Sequence, residues 1–233
     1  MDDCEADPSC RTEHPRIRSD LAAVLRRLDD GPVSVEIPHP RTAEVQRAEF
    51  RRSTFLGTLL GLLQDVGAAP QALGFIRQAA QGDYAALARR AAADHRGFET
   101  AMAGGMALSV FCAENPDGAI GPDELAPACA VFPRGDRPPG YREPVRSTVP
   151  VLLISGFLDP ITPPSGAEAV ARHLTASRHV VIRNASHSYT GLSPCVDGIM
   201  AAFLETASVE GLDVSCVAGI KRPALVAAER PGR

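Results

Sequence analysis

The chain has 233 residues, of which 45% are hydrophobic and 22% are charged, and its formal net charge is −4 at pH 7. A chain of this length and composition can bury the core of one domain or of two small ones. Its negative net charge gives no indication of nucleic-acid binding. No apolar run of about 18 residues occurs, so the sequence predicts no membrane span.

The region 1–132 is predicted to be mainly helical. Apolar residues recur on one face between residues 15 and 28, and the run Asp29-Asp30-Gly31-Pro32 is typical of a helix end. The same reasoning predicts three more helices, at about 42–66, 69–80 and 83–94. We therefore interpret this region as a helical unit that lies over a site and shapes its pocket.

The next segments predict a β-α-β unit. Residues 133–150 are rich in Pro, Gly and Arg and are predicted to be a linker. Residues 151–154 form an apolar run without alternation, which is typical of a parallel strand covered on both faces. Helical spacing over 165–174 predicts a crossover helix with a buried stripe, and residues 180–182 predict a second parallel strand.

One side chain that could take part in acid–base chemistry follows each predicted strand. Asp159 lies in a proline-containing turn after the first strand, and His187 lies in the loop after the second. Because the carboxyl ends of parallel strands meet at one edge of a sheet, we expect these side chains to lie together. An imidazole that a carboxylate orients can take the proton of a serine hydroxyl. The alternative is that Asp159 only ends a turn and His187 is an ordinary loop histidine.

The sequence offers no obvious nucleophile for such a pair. It contains no G-x-S-x-G, the strand-to-helix elbow that carries the serine in many hydrolases. Serines near the interesting segments do not lie between flanking glycines; they are Ser109, Ser155, Ser165, Ser186, Ser188 and Ser193. We therefore expect the chain alone to be inert.

Several motifs resemble one family. They are G-F-L-D-P-I-T-P-P around Asp159, S-R-H-V-V-I before His187, C-E-A-D-P-S-C near the start and L-S-V-F-C-A-E before residue 115. Together they resemble the C-terminal half of tripeptidyl aminopeptidase-like (TAP-like) α/β-hydrolases, relatives of proline iminopeptidase. One departure is local, since many members have Gly where this chain has Ser186.

The resemblance implies an α/β fold class, namely a partial α/β-hydrolase without its N-terminal strands. Its parts would be a helical cap (1–132), the linker (133–150), the last strands and helices of the sheet (151–216) and a tail (217–233). The tail carries Arg222-Pro223 and Arg230-Pro231-Gly232 besides Leu225 and Val226, and we expect it to fray.

The resemblance also implies a serine aminopeptidase that releases N-terminal residues or short peptides from a peptide substrate. Asp159 and His187 would be catalytic, and Glu114 would bind the free amino group, unless it is simply an exposed carboxylate. No cofactor and no metal site is expected, and the N-terminal half of the hydrolase, with the serine, is expected upstream. A different class stays open: a non-catalytic remnant, or a module that binds a peptide or protein.

Six cysteines suggest disulfides and an exported protein. Pairing of sequence neighbours is favoured because it closes three short loops, although other connectivities and reduced thiols stay possible; the pairs would be Cys4–Cys10, Cys112–Cys129 and Cys195–Cys216. The family and the cysteines predict a secreted or cell-envelope location. The first residues do not resemble a signal peptide, so a cytoplasmic location is expected if Met1 is the true start.

Overall fold

A computed structural model describes residues 1–39, 42–101, 103–114, 125–133, 135–188 and 194–226. The N-terminal region begins with two short helices and continues through a hairpin into a series of longer helices. Its elements are α1 Asp2–Ala6, α2 Pro8–Glu13, α3 Ile17–Asp29, β1 Val33–Pro38, β2 Val45–Phe50, α4 Arg52–Leu63, α5 Ala69–Ala80, α6 Ala85–Ala101, α7 Gly104–Glu114 and α8 Leu125–Val131.

The helix predicted over 42–66 is wrong in its first part, because β2 pairs with β1 as an antiparallel hairpin. In β1 the side chains of Val35 and Ile37 are buried while their neighbours are exposed, and this period of two is the signature of a strand with one covered face. Helix α4 begins only after Phe50, which is buried at the end of β2. The region 1–132 is therefore not wholly helical.

The N-terminal region packs around one large hydrophobic core. Helix α3 buries Ile17, Val24 and Leu28 on one face, and Phe55 of α4 is completely buried. The hairpin joins the same cluster through its buried side chains.

The described part of the tail does not fray. Leu225 is buried in the N-terminal core, and Arg222 forms an ion pair with Asp3. Removing one large apolar side chain from water contributes about 1.5–3 kcal/mol, and Val217 and Ile220 of the same tail pack against the C-terminal core. Residues 227–233 lie outside the described part of the chain.

The C-terminal unit is a β-α-β arrangement. Strands β3 Val151–Gly156 and β4 Ser177–Ile182 are parallel and are joined through helix α9 Pro164–Ala171. Helix α10 Cys195–Thr206 and a 3₁₀ turn at Ser215–Gly219 follow. Within the described ranges this sheet has two strands.

Two burial predictions for this unit are wrong. The side chains of β3 from Val151 to Ile154 are only half-buried, although their pattern predicts a strand covered on both faces. Val170 of α9 is 49% exposed, although helical spacing places it in a buried stripe. Both differences have one cause, because the described residues place too few elements against this sheet to cover it.

Three disulfides confirm the favoured pairing of sequence neighbours. Cys4–Cys10 joins α1 to α2, Cys112–Cys129 joins α7 to α8, and Cys195–Cys216 joins α10 to the 3₁₀ turn. Such bonds indicate an oxidising or extracellular environment. No helix in the described segments has the length and apolar character needed to cross a membrane.

Candidate active site

The site begins with the turn that follows β3. The Asp159 side chain is 2% exposed, and its Oδ1 accepts hydrogen bonds from the backbone N–H groups of Ile161, at 2.8 Å, and Thr162, at 2.9 Å. An aspartate that accepts from backbone groups two and three residues ahead stabilises a turn. The local sequence therefore fixes the carboxylate at the end of the strand.

His187 meets this carboxylate from the loop after β4. Its Nδ1 lies 2.9 Å from Asp159 Oδ2, and the Thr162 hydroxyl lies 2.7 Å from the same Oδ2 and 3.1 Å from Nδ1. Thr162 Oγ1 uses its single hydrogen toward the ionised carboxylate, so it faces Nδ1 as an acceptor. Both neighbours of Nδ1 thus require the tautomer in which Nδ1 carries the hydrogen, which leaves Nε2 able to accept a proton.

The environment keeps Asp159 ionised. Burial alone would raise its pKa, but hydrogen bonds from the Thr162 hydroxyl and N–H, from His187 and from the Ile161 N–H outweigh burial. Each of these bonds stabilises the charged carboxylate. The pKa of Asp159 therefore lies well below its ordinary value, and the carboxylate can balance a positive charge on the imidazole.

Gly156 allows the two strand ends to approach. A Cβ on Gly156 would lie 2.2 Å from the Ser186 carbonyl oxygen and 2.7 Å from the Ala185 carbonyl. This contact is possible only without a side chain. The N–H of Leu158 then donates to the Ala185 carbonyl at 3.0 Å, so the acid turn and the histidine loop form one unit.

Comparison with known proteins agrees with the motifs around this pair. Residues 120–216 match the family model described as TAP-like protein, and this range contains both Asp159 and His187. We call residues 120–216, which match this family model, the TAP-like domain. Its family is one of α/β-hydrolases. No curated protein and no solved structure matches the chain.

Sequence reasoning predicted that Asp159 and His187 meet in the TAP-like domain, but it missed Thr162 and Gly156. Thr162 could have been noticed, since a threonine three residues after a turn aspartate has both its N–H and its hydroxyl within reach. Gly156 gave the ordinary signal of a strand end. Its close contact with the histidine loop depends on the strand pairing and is not visible locally.

Glu114 is not brought to this pair by any described contact. It ends α7, its side chain is exposed, and its Oε1 accepts a hydrogen bond from the Tyr141 hydroxyl. This bond raises the pKa of Tyr141. Arg142 donates to the Glu114 carbonyl at 2.7 Å, so the segment predicted to be a linker holds the end of α7.

The serines near the TAP-like site have other partners. Ser155 lies in β3 and hydrogen-bonds His179 at 2.9 Å, and Ser186 is buried with its hydroxyl on backbone carbonyls. No described serine hydroxyl forms a hydrogen bond with His187, and Ser193 lies outside the described residues. The described residues also contain no group of three or more side chains able to hold a metal ion.

A cleft of about 390 Å³ lies beside the acid turn of the TAP-like domain. Phe157, Leu158 and Arg183 are among its lining residues, and the Arg183 guanidinium lies 5.5 Å from the centre of the Phe157 ring. Asp159 and His187 do not line it. This cleft and the pair therefore occupy neighbouring but separate positions at the strand ends.

Proposed function

We propose that this chain supplies the orienting acid and the general base of a serine hydrolase that acts on peptides. The observation that carries the proposal is the pair itself: a buried, ionised Asp159 accepts the Nδ1 hydrogen of His187 at 2.9 Å. The pair stands at the ends of two parallel strands, where α/β folds hold their chemistry.

In this role His187 acts twice. Its Nε2 first takes the proton of a serine hydroxyl as the serine attacks the substrate carbonyl, and it then gives that proton to the leaving amine. The His187 side chain is 40% exposed, which leaves room for a reacting group. Asp159 holds the tautomer throughout and stabilises the imidazolium between the two transfers.

The serine and the oxyanion hole come, in this proposal, from a polypeptide segment outside this sequence. The absence of G-x-S-x-G supports this view. So do the exposed apolar side chains at and near the two-stranded sheet, which a neighbouring segment would cover: Val149, Phe157, Ile161, Val170, Val181 and Leu204. Loss of even one oxyanion donor costs about 2.7–4 kcal/mol of transition-state stabilisation, so the chain alone is inactive.

We assign the substrate as a peptide with a free amino terminus and Glu114 as its anionic partner. The family resemblance suggests this residue. Its exposed carboxylate accepts a hydrogen bond from Tyr141, and its backbone carbonyl accepts one from Arg142. A carboxylate at such a helix end is suited to bind an ammonium group. The three disulfides support secretion or location in the cell envelope.

Reconstitution tests the proposal. The chain is mixed with the N-terminal segment of a TAP-like hydrolase that carries G-x-S-x-G, and co-elution in size-exclusion chromatography verifies the complex. Hydrolysis of aminoacyl and short-peptide p-nitroanilides is expected from the complex and from neither part. His187→Ala and Asp159→Asn should reduce kcat by at least about 10⁴-fold, while His173→Ala, two residues after the end of α9, should not.

A separate substitution tests whether Glu114 binds the free amino group of the substrate. Glu114→Gln should raise KM for substrates with a free amino group about tenfold and leave N-acetylated substrates unaffected, with Asp136→Asn as the exposed control. Hydrolysis by the isolated chain that His187→Ala abolishes would contradict the claim that the nucleophile lies elsewhere. A stable complex without hydrolysis would reject catalysis and favour a module that binds a peptide or protein.

A further inference from the structure

The histidine loop is attached to the end of a helix in the N-terminal region. Ser186 is completely buried, and its hydroxyl donates to the carbonyl of Leu63, the last residue of α4, at 2.6 Å. Two residues further along, the Ser188 N–H donates to the Gln64 carbonyl at 2.8 Å. His187 thus lies between two residues that are fixed to consecutive carbonyl groups of one helix end.

These bonds satisfy groups that would otherwise lack partners. The last carbonyls of a helix have no partner within the helix, and leaving the hydroxyl of the completely buried Ser186 without a hydrogen bond is unfavourable. The α4 end therefore favours the docked loop over any arrangement that withdraws it.

The Ser186 hydroxyl also reaches the acid turn. The Leu158 carbonyl, directly before Asp159, lies 3.2 Å from Ser186 Oγ. A hydroxyl has one hydrogen to donate, and the shorter distance assigns it mainly to Leu63. Leu158 provides a second acceptor for the same hydrogen, so one buried side chain contacts the end of α4 and the acid turn from within the histidine loop.

We infer that Ser186 is a positioning residue for His187. By attaching the histidine loop to the end of α4, Ser186 makes the orientation of the base depend on the position of the N-terminal region. Glycine at this position could not make this connection because it has no hydroxyl. The name "base" for His187 rests on the proposed function, but the attachment of the loop to α4 does not.

The test uses the whole chain with ¹⁵N-labelled histidine and two readouts that need no activity. Nitrogen and proton resonances of His187 report whether Nδ1 carries a slowly exchanging hydrogen, and hydrogen exchange of the Ser188 amide reports docking on Gln64. In Ser186→Ala we expect the Ser188 amide to exchange about tenfold faster, as loss of one hydrogen bond implies. The Nδ1 proton signal of His187 should broaden or disappear.

Ser155→Ala is the matched control. Ser155 is also a buried serine in this unit, but its hydroxyl binds His179 and not the histidine loop. This variant should change the His179 signals and leave both His187 readouts as in the unmodified chain. If Ser186→Ala does not fold, Ser186→Gly removes the same hydroxyl without adding volume and is measured in the same way.

Three results would overturn the inference. Unchanged readouts in a folded Ser186→Ala or Ser186→Gly variant would show that the hydroxyl is dispensable. Faster exchange at Ser188 with an unchanged His187 signal would show docking without positioning. An equal effect from Ser155→Ala would show a general loss of stability. A missing Nδ1 signal in the unmodified chain would instead count against the proposed function. Hydrogen exchange of the Ser188 amide would then still test the attachment of the histidine loop to α4.

Discussion

The N-terminal region contains the larger hydrophobic core of this molecule, whereas the C-terminal unit carries the Asp159–His187 pair. The N-terminal region has a large core in which helices α3, α4 and α5 and the hairpin bury side chains together, whereas the buried cluster of the C-terminal unit consists of Val180, Ile182, Ala185 and Val196. Yet the C-terminal unit holds the ordered polar network around Asp159. A precise site can therefore stand on a small core when backbone hydrogen bonds and a neighbouring helix fix its loops.

The largest effect is expected in the N-terminal core. Phe55 is completely buried, so Phe55→Ala should lower the free energy of unfolding by about 3–5 kcal/mol through lost burial and a cavity. Urea denaturation followed by circular dichroism measures this change.

Leu60→Ala on the same helix is the control, since Leu60 is 42% exposed and should cost much less. If the two substitutions had similar effects, the N-terminal region would not be the stabilising part of the molecule.

A smaller loss is expected at the junction of the two strand ends. In Gly156→Ala the new Cβ would clash with backbone atoms of Ser186 and Ala185, which cannot move like a flexible side chain. We expect a loss of about 1–3 kcal/mol, together with separation of His187 from Asp159, visible as loss of the Nδ1 proton signal.

Gly166→Ala in α9 provides the contrast, because a Cβ there meets nothing within 4 Å and alanine favours a helix by up to about 1 kcal/mol. A Gly156→Ala chain as stable as the parent, with the signal intact, would show that the strand ends do not require glycine.

The contribution of the Asp159 carboxylate to the free energy of unfolding should depend on pH. Because the folded state lowers the pKa of Asp159, its charge adds stability above the unfolded pKa of about 3.9 and loses that contribution as pH falls through the folded pKa. Asp159→Asn should thus cost about 1–3 kcal/mol at pH 7 and progressively less below about pH 4.

The measurement is urea denaturation of both chains between pH 3 and pH 7. Asp136→Asn, an exposed position, should stay within about 0.5 kcal/mol of the parent throughout. A difference between Asp159→Asn and the parent that grows toward low pH would have the wrong sign and would exclude a stabilising carboxylate.

The sequence predicted the parts of this structure that local patterns encode. An apolar run followed by a turn with Asp159, and a second run followed by His187, were enough to predict the parallel unit and the meeting of the two side chains. The helix at Ala69–Ala80 was predicted with the same limits. Whether the pair is catalytic stays a prediction.

Features that depend on distant contacts were not predictable in this way. The hairpin was missed because β2 is polar, V-Q-R-A-E-F, and its strand character comes from pairing with β1. The burial of Leu225 requires a core formed by residues far away in the chain. The hydrogen bond from Ser186 to Leu63 joins residues 123 positions apart, and no local pattern in the sequence predicts it.

The histidine spectrum of the unmodified chain tests the central claim most directly. The account predicts that His187, one of six histidines, shows a slowly exchanging proton on Nδ1, and that Asp159→Asn abolishes this signal. An imidazole with its hydrogen on Nε2, or one whose signals are the same in Asp159→Asn, would contradict a preformed acid–base pair in this chain.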